Sequence, residues 1–257
     1  MKSDYWDALA PSFQEEVFDP VASDLQGIIL SEIRRVASKD ATALDLGCGV
    51  GRSLPALSGL FGQVVAVDHS ARCLEIARRS HEDLGNIRFL QRDLTERGRE
   101  LEPADVALCI NVALIPDYRK RLHLFENVAR SVRAGGHMLL VVPALESFLL
   151  SMHRLTLWNL EDHDSYKSAA VSASEEYRFT ARSIRDGVVH AGEVPTKHYT
   201  REELEILLET MGHRIVSIDK AEYGWDTEFE DPPESMGAPY PWDWFAVSRP
   251  RRGKRSA

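Results

Sequence analysis

Three glycines at alternate positions follow an apolar run that has the length of a strand. Gly47, Gly49 and Gly51 come directly after residues 41–46, and this run carries one acid, Asp45. Glycine has no Cβ and adopts positive φ, so a strand can turn sharply here and leave N–H groups facing a ligand. The residues that follow have helical character. The stretch therefore predicts a strand, a glycine turn and a helix built around a bound ligand.

The spacing of these glycines does not match the dinucleotide-binding fingerprint. That fingerprint needs a glycine or alanine three positions after its second glycine. The sequence has Arg52 there when the count starts at Gly47, and Leu54 when it starts at Gly49. A glycine-rich turn alone does not separate nicotinamide, flavin and nucleotide sites, so the turn by itself leaves the ligand open.

Two acids near the ends of the next predicted strands narrow the choice of ligand. Asp68 ends the predicted strand 63–68, and Asp93 ends the predicted strand 87–93. An acid about twenty positions after the glycines, at a strand end, can accept hydrogen bonds from a ribose diol. The combination favours a ligand that has a ribose and an adenine but no required diphosphate.

The elements that must position these residues alternate along the chain. Strands are predicted at 41–46, 63–68, 87–93, 104–110 and 136–142, and helices at 21–38, 71–80 and 118–132. Strands that are apolar throughout and separated by helices are typical of a parallel sheet covered on both faces, with right-handed crossovers. The sequence therefore predicts an α/β fold.

The pattern changes at both ends of this core. Residues 4–20 carry four aromatic side chains, which fit either a lid or a segment packed on the core: Tyr5, Trp6, Phe13 and Phe18. After the fifth strand we expect a helix at 144–160 and then a polar stretch, 161–176, without clear periodicity. Short extended segments follow, and Thr200 is predicted to cap a helix that ends at Gly212.

We expect the chain to divide into five parts along its length. They are an N-terminal arm and helix (1–40), a ligand-binding core (41–145), a cap over the active site (146–198), a C-terminal completion of the same sheet (199–249) and a basic tail (250–257). Two further strands, 214–219 and 242–248, belong to the completion. For the tail, a solvated disordered end is favoured over a phosphate-binding arm.

The composition and net charge of the chain limit the classes of partner that it can bind. The chain has 257 residues, a formal net charge of −9 and a sequence pI near 5.5. Because nucleic-acid binding depends on Lys and Arg neutralising phosphates, a small-molecule partner is favoured and nucleic acid is unlikely. We expect no membrane span, no signal peptide and a cytoplasmic location. Three unpaired cysteines favour a reducing compartment, and neither they nor the histidines have metal-ligand spacing, so no metal is expected.

The motifs at the strand ends resemble those of the class I S-adenosylmethionine-dependent methyltransferases. Asp45-Leu-Gly-Cys-Gly-Val-Gly51 resembles the first motif of that family, and Val67-Asp68-His-Ser the second. Gln91-Arg-Asp93-Leu94 resembles the third, and Cys109-Ile-Asn111-Val occupies the place of the fourth. The resemblance covers roughly residues 40–145 and weakens beyond them.

The resemblance implies a Rossmann-like, doubly wound fold with a mostly parallel seven-stranded sheet. Its C-terminal strand would be antiparallel and would lie between the fifth and sixth strands. The implied cofactor is S-adenosyl-L-methionine. The implied cofactor-binding residues are Asp45, Gly47, Cys48, Gly49, Gly51, Asp68, His69, Asp93, Leu94 and Asn111.

In the family, the glycine turn receives the methionine part of the cofactor, Asp68 would bind the ribose hydroxyls and Asp93 would face the adenine amino group. Each residue keeps an alternative reading. Asp45 could instead be an acid that caps the turn, and Asp68 an acid in a solvated loop. Asp93 could be the N-cap of a helix at 94–97. Asn111 could instead be a turn residue at the end of a strand. Cys48 could be a small residue that the turn tolerates.

The expected activity is transfer of a methyl group to a small molecule. The alternatives are an RNA or protein methyltransferase and a module that binds the cofactor without catalysis. The family's amino-nucleobase enzymes show two prolines and an aromatic residue after the Asn or Asp of the fourth motif. This chain has Val-Ala-Leu after Asn111, which speaks against methylation of a nucleobase amino group. Candidates for the acceptor pocket are the segments 144–176, 197–199 and 240–244. No catalytic residue, general base, acceptor atom or oligomeric state follows from the sequence.

Overall fold

The protein is described from a computed structural model. The structure describes residues 3–98, 101–161, 165–178, 185–191 and 194–251. The last six residues of the predicted basic tail, 252–257, lie outside the described residues. No helix within the described part of the chain is long and apolar enough to cross a membrane.

A seven-stranded sheet forms the core of the molecule, with strand order β3-β2-β1-β4-β5-β10-β9. Its strands are β1 (Thr42–Leu46), β2 (Gln63–Asp68), β3 (Ile87–Gln91), β4 (Ala104–Ile110), β5 (Val132–Pro143), β9 (His213–Glu222) and β10 (Trp242–Pro250). The pairs among β1 to β5 are parallel, whereas β10 is antiparallel to both β5 and β9. The resemblance placed the final strand between the fifth and sixth strands of the sheet, and the strand order confirms this placement.

Ten α-helices are described. They are α1 (Ser3–Leu9), α2 (Phe13–Glu16), α3 (Pro20–Ser23), α4 (Ile28–Val36), α5 (Leu54–Leu60), α6 (Ala71–Ser80), α7 (Tyr118–Arg130), α8 (Leu145–Asn159), α9 (Tyr166–Glu176) and α10 (Arg201–Thr210). Helices α4, α5 and α6 pack on one face of the sheet, and α7 and α10 pack on the other. The sheet is therefore covered on both faces, as the continuous apolar strands predict.

The prediction of one continuous helix over 21–38 is wrong. The Asp24 carboxylate accepts hydrogen bonds from the backbone N–H groups of Gln26 and Ile29. Gly27 adopts a left-handed conformation with φ of 65° immediately before α4. Side-chain bonds to the backbone compete with helical bonds, so they separate α3 from α4 at this point.

The segment 146–198 builds a small structure of its own beside the sheet. Within it, α8 and α9 pack together, and β6 (Tyr177–Arg178), β7 (Val188–Ala191) and β8 (Val194–Lys197) form a three-stranded antiparallel sheet. Helix α9 covers most of the polar stretch 161–176, in which the sequence has no clear periodicity. The side chains buried over 166–174, the part of the helix whose burial the structure describes, are those of Ala169 and Ala173, so an apolar stripe of large residues does not mark it.

The chain returns from this segment to the main sheet through an ion pair between a buried lysine and a partly exposed glutamate. Lys197 Nζ is 2.6 Å from Glu203 Oε2 on α10. The Tyr199 hydroxyl donates to the Ala113 carbonyl over 2.6 Å. Thr200 Oγ1 accepts from the Glu203 N–H at 3.1 Å, which confirms the predicted helix cap. These contacts fix the start of α10 against the carboxyl ends of β4 and β5.

Candidate active site

The glycine turn after β1 is held against β2 by its own backbone. The N–H groups of Gly47 and Cys48 both donate to the Val67 carbonyl, over 2.7 and 3.0 Å. Gly47 has φ of 76° and Gly49 has φ of 54°. A Cβ on Gly49 would lie 2.7 Å from the Phe13 ring, closer than atoms can approach. The turn therefore requires glycine for its conformation and for its close neighbours.

Asp68 connects this turn to the following helix. One carboxylate oxygen accepts from the Gly49 N–H over 2.9 Å, and the other accepts from the Ser70 N–H over 2.8 Å. The residue is buried at the end of β2. Ser70 in turn caps α6 by accepting from the Cys73 N–H. The position of the carboxylate is thus fixed by backbone donors on both sides.

Asp45 lies beneath the turn with an unused hydrogen-bond acceptor. It is 4% exposed, and its Oδ2 has no hydrogen-bond partner. Burial, with a smaller contribution from the neighbouring Asp68 carboxylate, raises the pKa of Asp45 to about 7. A buried acceptor of this kind is completed by a cation or a hydrogen-bond donor. Burial also raises the pKa of the Cys48 thiol, so this cysteine remains protonated at neutral pH.

The third motif forms a tight turn after β3. Asp93 Oδ1 accepts from the Thr95 N–H over 2.8 Å and from the Thr95 hydroxyl over 2.7 Å. No helix follows over 94–97 in the described structure, so Asp93 caps a turn and not a helix. Asn127 on α7 donates to the Leu94 carbonyl over 2.8 Å and fixes the loop from the other side. His69 lies beside Asp68, with its Nδ1 3.6 Å from the nearer carboxylate oxygen.

Asn111 follows β4 in an unusual backbone conformation. Its φ is 49°, in the left-handed region that non-glycine residues seldom adopt. Its Nδ2 donates to Asp243 Oδ2 on β10 over 3.0 Å, while its buried Oδ1 has no partner. Burial raises the pKa of Asp243 to about 6. Sequence reasoning did not single out Asp243, although an acid near the start of an apolar strand was a visible signal.

A cavity of about 910 Å³ opens at the carboxyl ends of β1, β2, β3 and β4. Nine of the ten predicted cofactor-binding residues line it: Asp45, Gly47, Cys48, Gly49, Asp68, His69, Asp93, Leu94 and Asn111. Gly51 is not among the lining residues, because it lies behind the turn next to Leu54 and His81. The structure thus brings separate motifs from four strands to one wall.

The N-terminal arm, residues 3–23, forms another part of the cavity wall. Trp6, Phe13 and Phe18 line the cavity. Trp6 and Phe13 also pack against the buried Val50 and Cys73, so a lid and a segment packed on the core both stay predictions. The Arg52 guanidinium donates to the carbonyl oxygens of Phe13 and Val17, over 2.8 and 2.7 Å. It also donates to the Gln14 carbonyl and lies over the Phe13 ring. Arg52 directly follows the glycine turn, a position that the sequence analysis used only to exclude a dinucleotide site.

Further lining residues come from the loop between β4 and α7 and from the start of α7. Ile115, Pro116, Asp117 and Lys120 contribute to the wall that adjoins Leu94. The residues that line the cavity do not include those of 144–176, 197–199 or 240–244 that the structure describes, so those acceptor-pocket candidates stay predictions. Within the described residues, no group of three or more His, Cys, Asp or Glu side chains is arranged to hold a metal ion.

Comparison with known proteins agrees with the resemblance seen in the sequence. Residues 43–136 match a family model described as a methyltransferase domain. Over these residues the chain is similar to methyltransferase domains. The match includes the glycine turn and the ends of β2, β3 and β4, so the matched region contains the greater part of the cavity wall. No curated protein matches the chain significantly.

Solved structures share the fold of this chain at low sequence identity. A DhpI structure in complex with S-adenosylhomocysteine has a TM-score of 0.61 and 20% identity, over 96% of this chain and 94% of that one. A complex between the Haloferax volcanii Trm112 methyltransferase activator and a putative methyltransferase has a TM-score of 0.63 and 16% identity. The likeness covers 96% of this chain and 98% of that one. The N-methyltransferase NodS from Bradyrhizobium japonicum has a TM-score of 0.60 and 11% identity, over 96% and 98%. At these identities the likeness concerns the fold.

Proposed function

We propose that this methyltransferase binds S-adenosylmethionine in the cavity and transfers its methyl group to a small-molecule acceptor. The cofactor supplies a methyl group on a positively charged sulfonium. The protein then has to align the acceptor with the methyl group and exclude water. Alignment of the acceptor and exclusion of water would both take place in the cavity between the glycine turn and the N-terminal arm.

The chemistry of the cavity wall fits the cofactor. The buried Asp45 oxygen without a partner is complementary to the ammonium group of the methionine part. The Asp68 carboxylate, held between two backbone N–H groups, is suited to the ribose hydroxyls. Asp93 and the Leu94 backbone would face the adenine, and Gly47 and Gly49 allow close approach of the cofactor. His69, Cys48 and Asn111 complete the proposed contact surface, and Gly51 supports it from behind.

The position of the N-terminal arm supports a small acceptor. The Phe13 ring packs on Gly49, and Arg52 ties the arm to the turn through three backbone carbonyls. The arm therefore forms a wall of the cavity beside the glycine turn, and the whole cavity has the volume typical of small-ligand sites. This wall is the observation that carries the proposal. The net charge of −9 adds support, because it opposes a polyanionic substrate.

Binding and labelling experiments test the proposed function. S-adenosylhomocysteine is expected to raise the melting temperature of the full chain, and NAD is expected to leave it unchanged. The full chain, incubated with methyl-labelled S-adenosylmethionine and a small-molecule extract, is expected to yield a labelled small product found by untargeted mass spectrometry. Stabilisation by NAD alone would contradict the cofactor. Label found only in RNA or protein would favour the alternative methyltransferase classes, and tight binding without any turnover would favour a non-catalytic module.

We also propose a cytoplasmic location. Cys48, Cys73 and Cys109 are buried free thiols in the structure, which suits a reducing compartment. Fractionation of cells that express the tagged full chain tests this location.

A further inference from the structure

A second cavity, of about 380 Å³, lies on the face of the sheet that also carries α7 and α10. Its lining comes from the first half of β1 and of β2, from β3 and from the start of β4. Among the described residues, Arg92 alone lines both this cavity and the candidate active site. A ligand of the second cavity would therefore bind beside the proposed cofactor site and outside it.

The register of the sheet builds an apolar floor for the second cavity. Leu44, Val65 and Arg88 occupy paired positions on β1, β2 and β3, so their side chains point to the same face. Leu90 lies two positions after Arg88 and points to that face as well. Leu44 and Val65 are buried, and Leu90 is partly buried against the same core. Because β3 is an edge strand, Arg88 borders this floor of hydrocarbon on its outer side.

The connection from β3 to β4 leaves space above the floor. Helices α5, α6 and α7 connect the other pairs of consecutive parallel strands. Between β3 and β4, the described residues 92–98 and 101–103 contain no helix. Leu94 and Leu101 of this connection pack on the sheet. A loop covers less of a sheet than a helix does, so room for a ligand remains beside Leu101.

The charged side chains of the second cavity favour an anion. Three arginines and two acids line it, which gives a net charge of +1 in a chain whose net charge is −9. One arginine and one acid neutralise each other, because Arg133 forms an ion pair with Asp105. The other carboxylate oxygen of Asp105 accepts from the Thr42 N–H over 3.0 Å. Asp105 therefore already has partners for both of its oxygens.

Arg88 and Arg92 supply the remaining positive charge. Within the described residues, neither guanidinium forms an ion pair, and the second acid, Glu102, is exposed and forms none either. Arg92 is only partly exposed, so part of its hydration is lost without a compensating charge. An anion in the cavity would supply that charge.

The two parts of the second cavity match two parts of one ligand. Guanidinium groups bind carboxylates and phosphates through paired, charge-assisted hydrogen bonds. The floor of leucine and valine side chains favours a hydrocarbon group, because contact with it removes apolar surface from water. The volume of the cavity lies in the range of small-ligand sites.

We propose that the second cavity binds a small organic anion. Its carboxylate or phosphate group is held by Arg88 and Arg92, and its apolar part lies against Leu44, Val65 and Leu90. The site is separate from the proposed methyl-transfer site, and the inference does not depend on the proposed function.

A series of small probes tests the class of ligand. Benzoate and phenyl phosphate each join an anionic group to an apolar ring, whereas acetate and inorganic phosphate lack the ring and benzyl alcohol lacks the charge. In titration calorimetry with the full chain in low-salt buffer, benzoate or phenyl phosphate is expected to bind about tenfold or more tightly than its matched controls. The tighter of the two identifies the anionic group as carboxylate or phosphate. No binding of either probe, or equally tight binding of the ring-free anions, would overturn the inference.

Competition with S-adenosylhomocysteine tests the location of the probe. Because the second cavity lies outside the proposed cofactor site, saturating S-adenosylhomocysteine is expected to leave the bound probe in place. The probe is also expected to slow amide hydrogen exchange in residues 101–104, which border the second cavity. Displacement of the probe by S-adenosylhomocysteine, or unchanged exchange in residues 101–104, would overturn the site.

A matched pair of variants tests the role of the arginines. Arg88→Gln removes a guanidinium that lines the second cavity and not the candidate active site, so the tighter probe is expected to bind about tenfold more weakly. The affinity for S-adenosylhomocysteine is expected to stay the same. Arg214→Gln, at an exposed arginine on the opposite edge strand β9, is the control and is expected to bind the probe normally. Unchanged probe affinity in Arg88→Gln, or an equal loss in Arg214→Gln, would overturn the inference. If Arg88→Gln fails to fold, the exchange measurement on the native chain decides.

Discussion

Asp68 contributes to the candidate site through both of its carboxylate oxygens. Each accepts from a backbone N–H, one on the glycine turn and one at the start of α6. Asp68→Ala is therefore expected to weaken S-adenosylhomocysteine binding by about 1–3 kcal/mol through lost charged hydrogen bonds. Titration calorimetry measures the change, and Asp83→Ala, at an exposed loop acid, is the control. Unchanged affinity in Asp68→Ala would remove the proposed ribose contact.

Asp45 makes the stability of the protein without ligand depend on pH. Its pKa is raised from 3.8 to about 7 in the folded state, so the folded protein retains a proton that the unfolded chain releases. The free energy of unfolding is therefore expected to fall as pH rises from about 4 to about 7, by up to about 1.4 kcal/mol per pH unit from this group. Asp45→Asn cannot ionise and is expected to lack this contribution.

Chemical denaturation of both proteins at a series of pH values measures the difference between them. Burial likewise raises the pKa of Glu228 and Asp243, to about 7 and about 6, so a smaller slope of the same sign remains in Asp45→Asn. Parallel stability curves for the two proteins would show that Asp45 titrates normally in the folded state.

The predictability of single residues depends on where their partners lie in the sequence. Asp45 and Asp68 were identifiable because the carboxyl ends of neighbouring parallel strands meet at one edge of a sheet. Asp243 accepts a hydrogen bond from a residue 132 positions away, across β10 and β5. Sequence spacing contains no information about that contact, since it depends on the order of strands in the folded sheet.

At the level of elements, the N-terminal arm depends on Arg52. The guanidinium reaches three backbone carbonyls of the arm, which a single ammonium group cannot match in geometry. Arg52→Ala is expected to raise the rate of amide hydrogen exchange in residues 13–23 by about tenfold or more while leaving the sheet protected. S-adenosylhomocysteine is expected to dissociate faster from this variant.

Hydrogen-exchange mass spectrometry and stopped-flow displacement measure these two effects. Arg79→Ala is the matched control, because Arg79 is an exposed arginine whose ion pair with Glu75 lies within α6. The amide exchange rate of residues 13–23 in Arg52→Lys is expected to lie between the rates in the native protein and in Arg52→Ala. Unaltered exchange in Arg52→Ala would show that aromatic packing alone holds the arm.

Element boundaries were predictable where the apolar pattern is strong and local. Strand β2 and helix α6 have the predicted bounds. A continuous run of apolar residues marks β2, and a serine cap followed by an apolar stripe marks α6. The break between α3 and α4 depends on the Asp24 side chain and a left-handed Gly27, which a periodicity count does not detect. Helix α9 packs through alanines, so it has little amphipathic signal.

At the scale of the whole molecule, the antiparallel strand β10 links the cofactor half of the sheet to its C-terminal half. Its pairing with β5 brings Asp243 opposite Pro143, at the same edge as Asn111. Its pairing with β9 brings the end of β9, followed by Tyr223, to that edge. A fully parallel order would not place these groups together. The topology therefore brings Asp243 and Tyr223 to the edge of the sheet at which the cavity opens.

The ordered structure of the C-terminus predicts the effect of removing the basic tail. Strand β10 ends at Pro250, and Arg251 still bonds the Gly212 and His213 carbonyls, so these contacts survive removal of residues 252–257. The deletion removes three basic side chains from a chain whose net charge is −9. If the acceptor is a small molecule, the truncated chain is expected to keep its melting temperature and its rate of label transfer at low and high salt. A rate that falls on truncation and decreases steeply with salt would instead indicate a polyanionic substrate, because such binding depends on phosphate contacts by Lys and Arg.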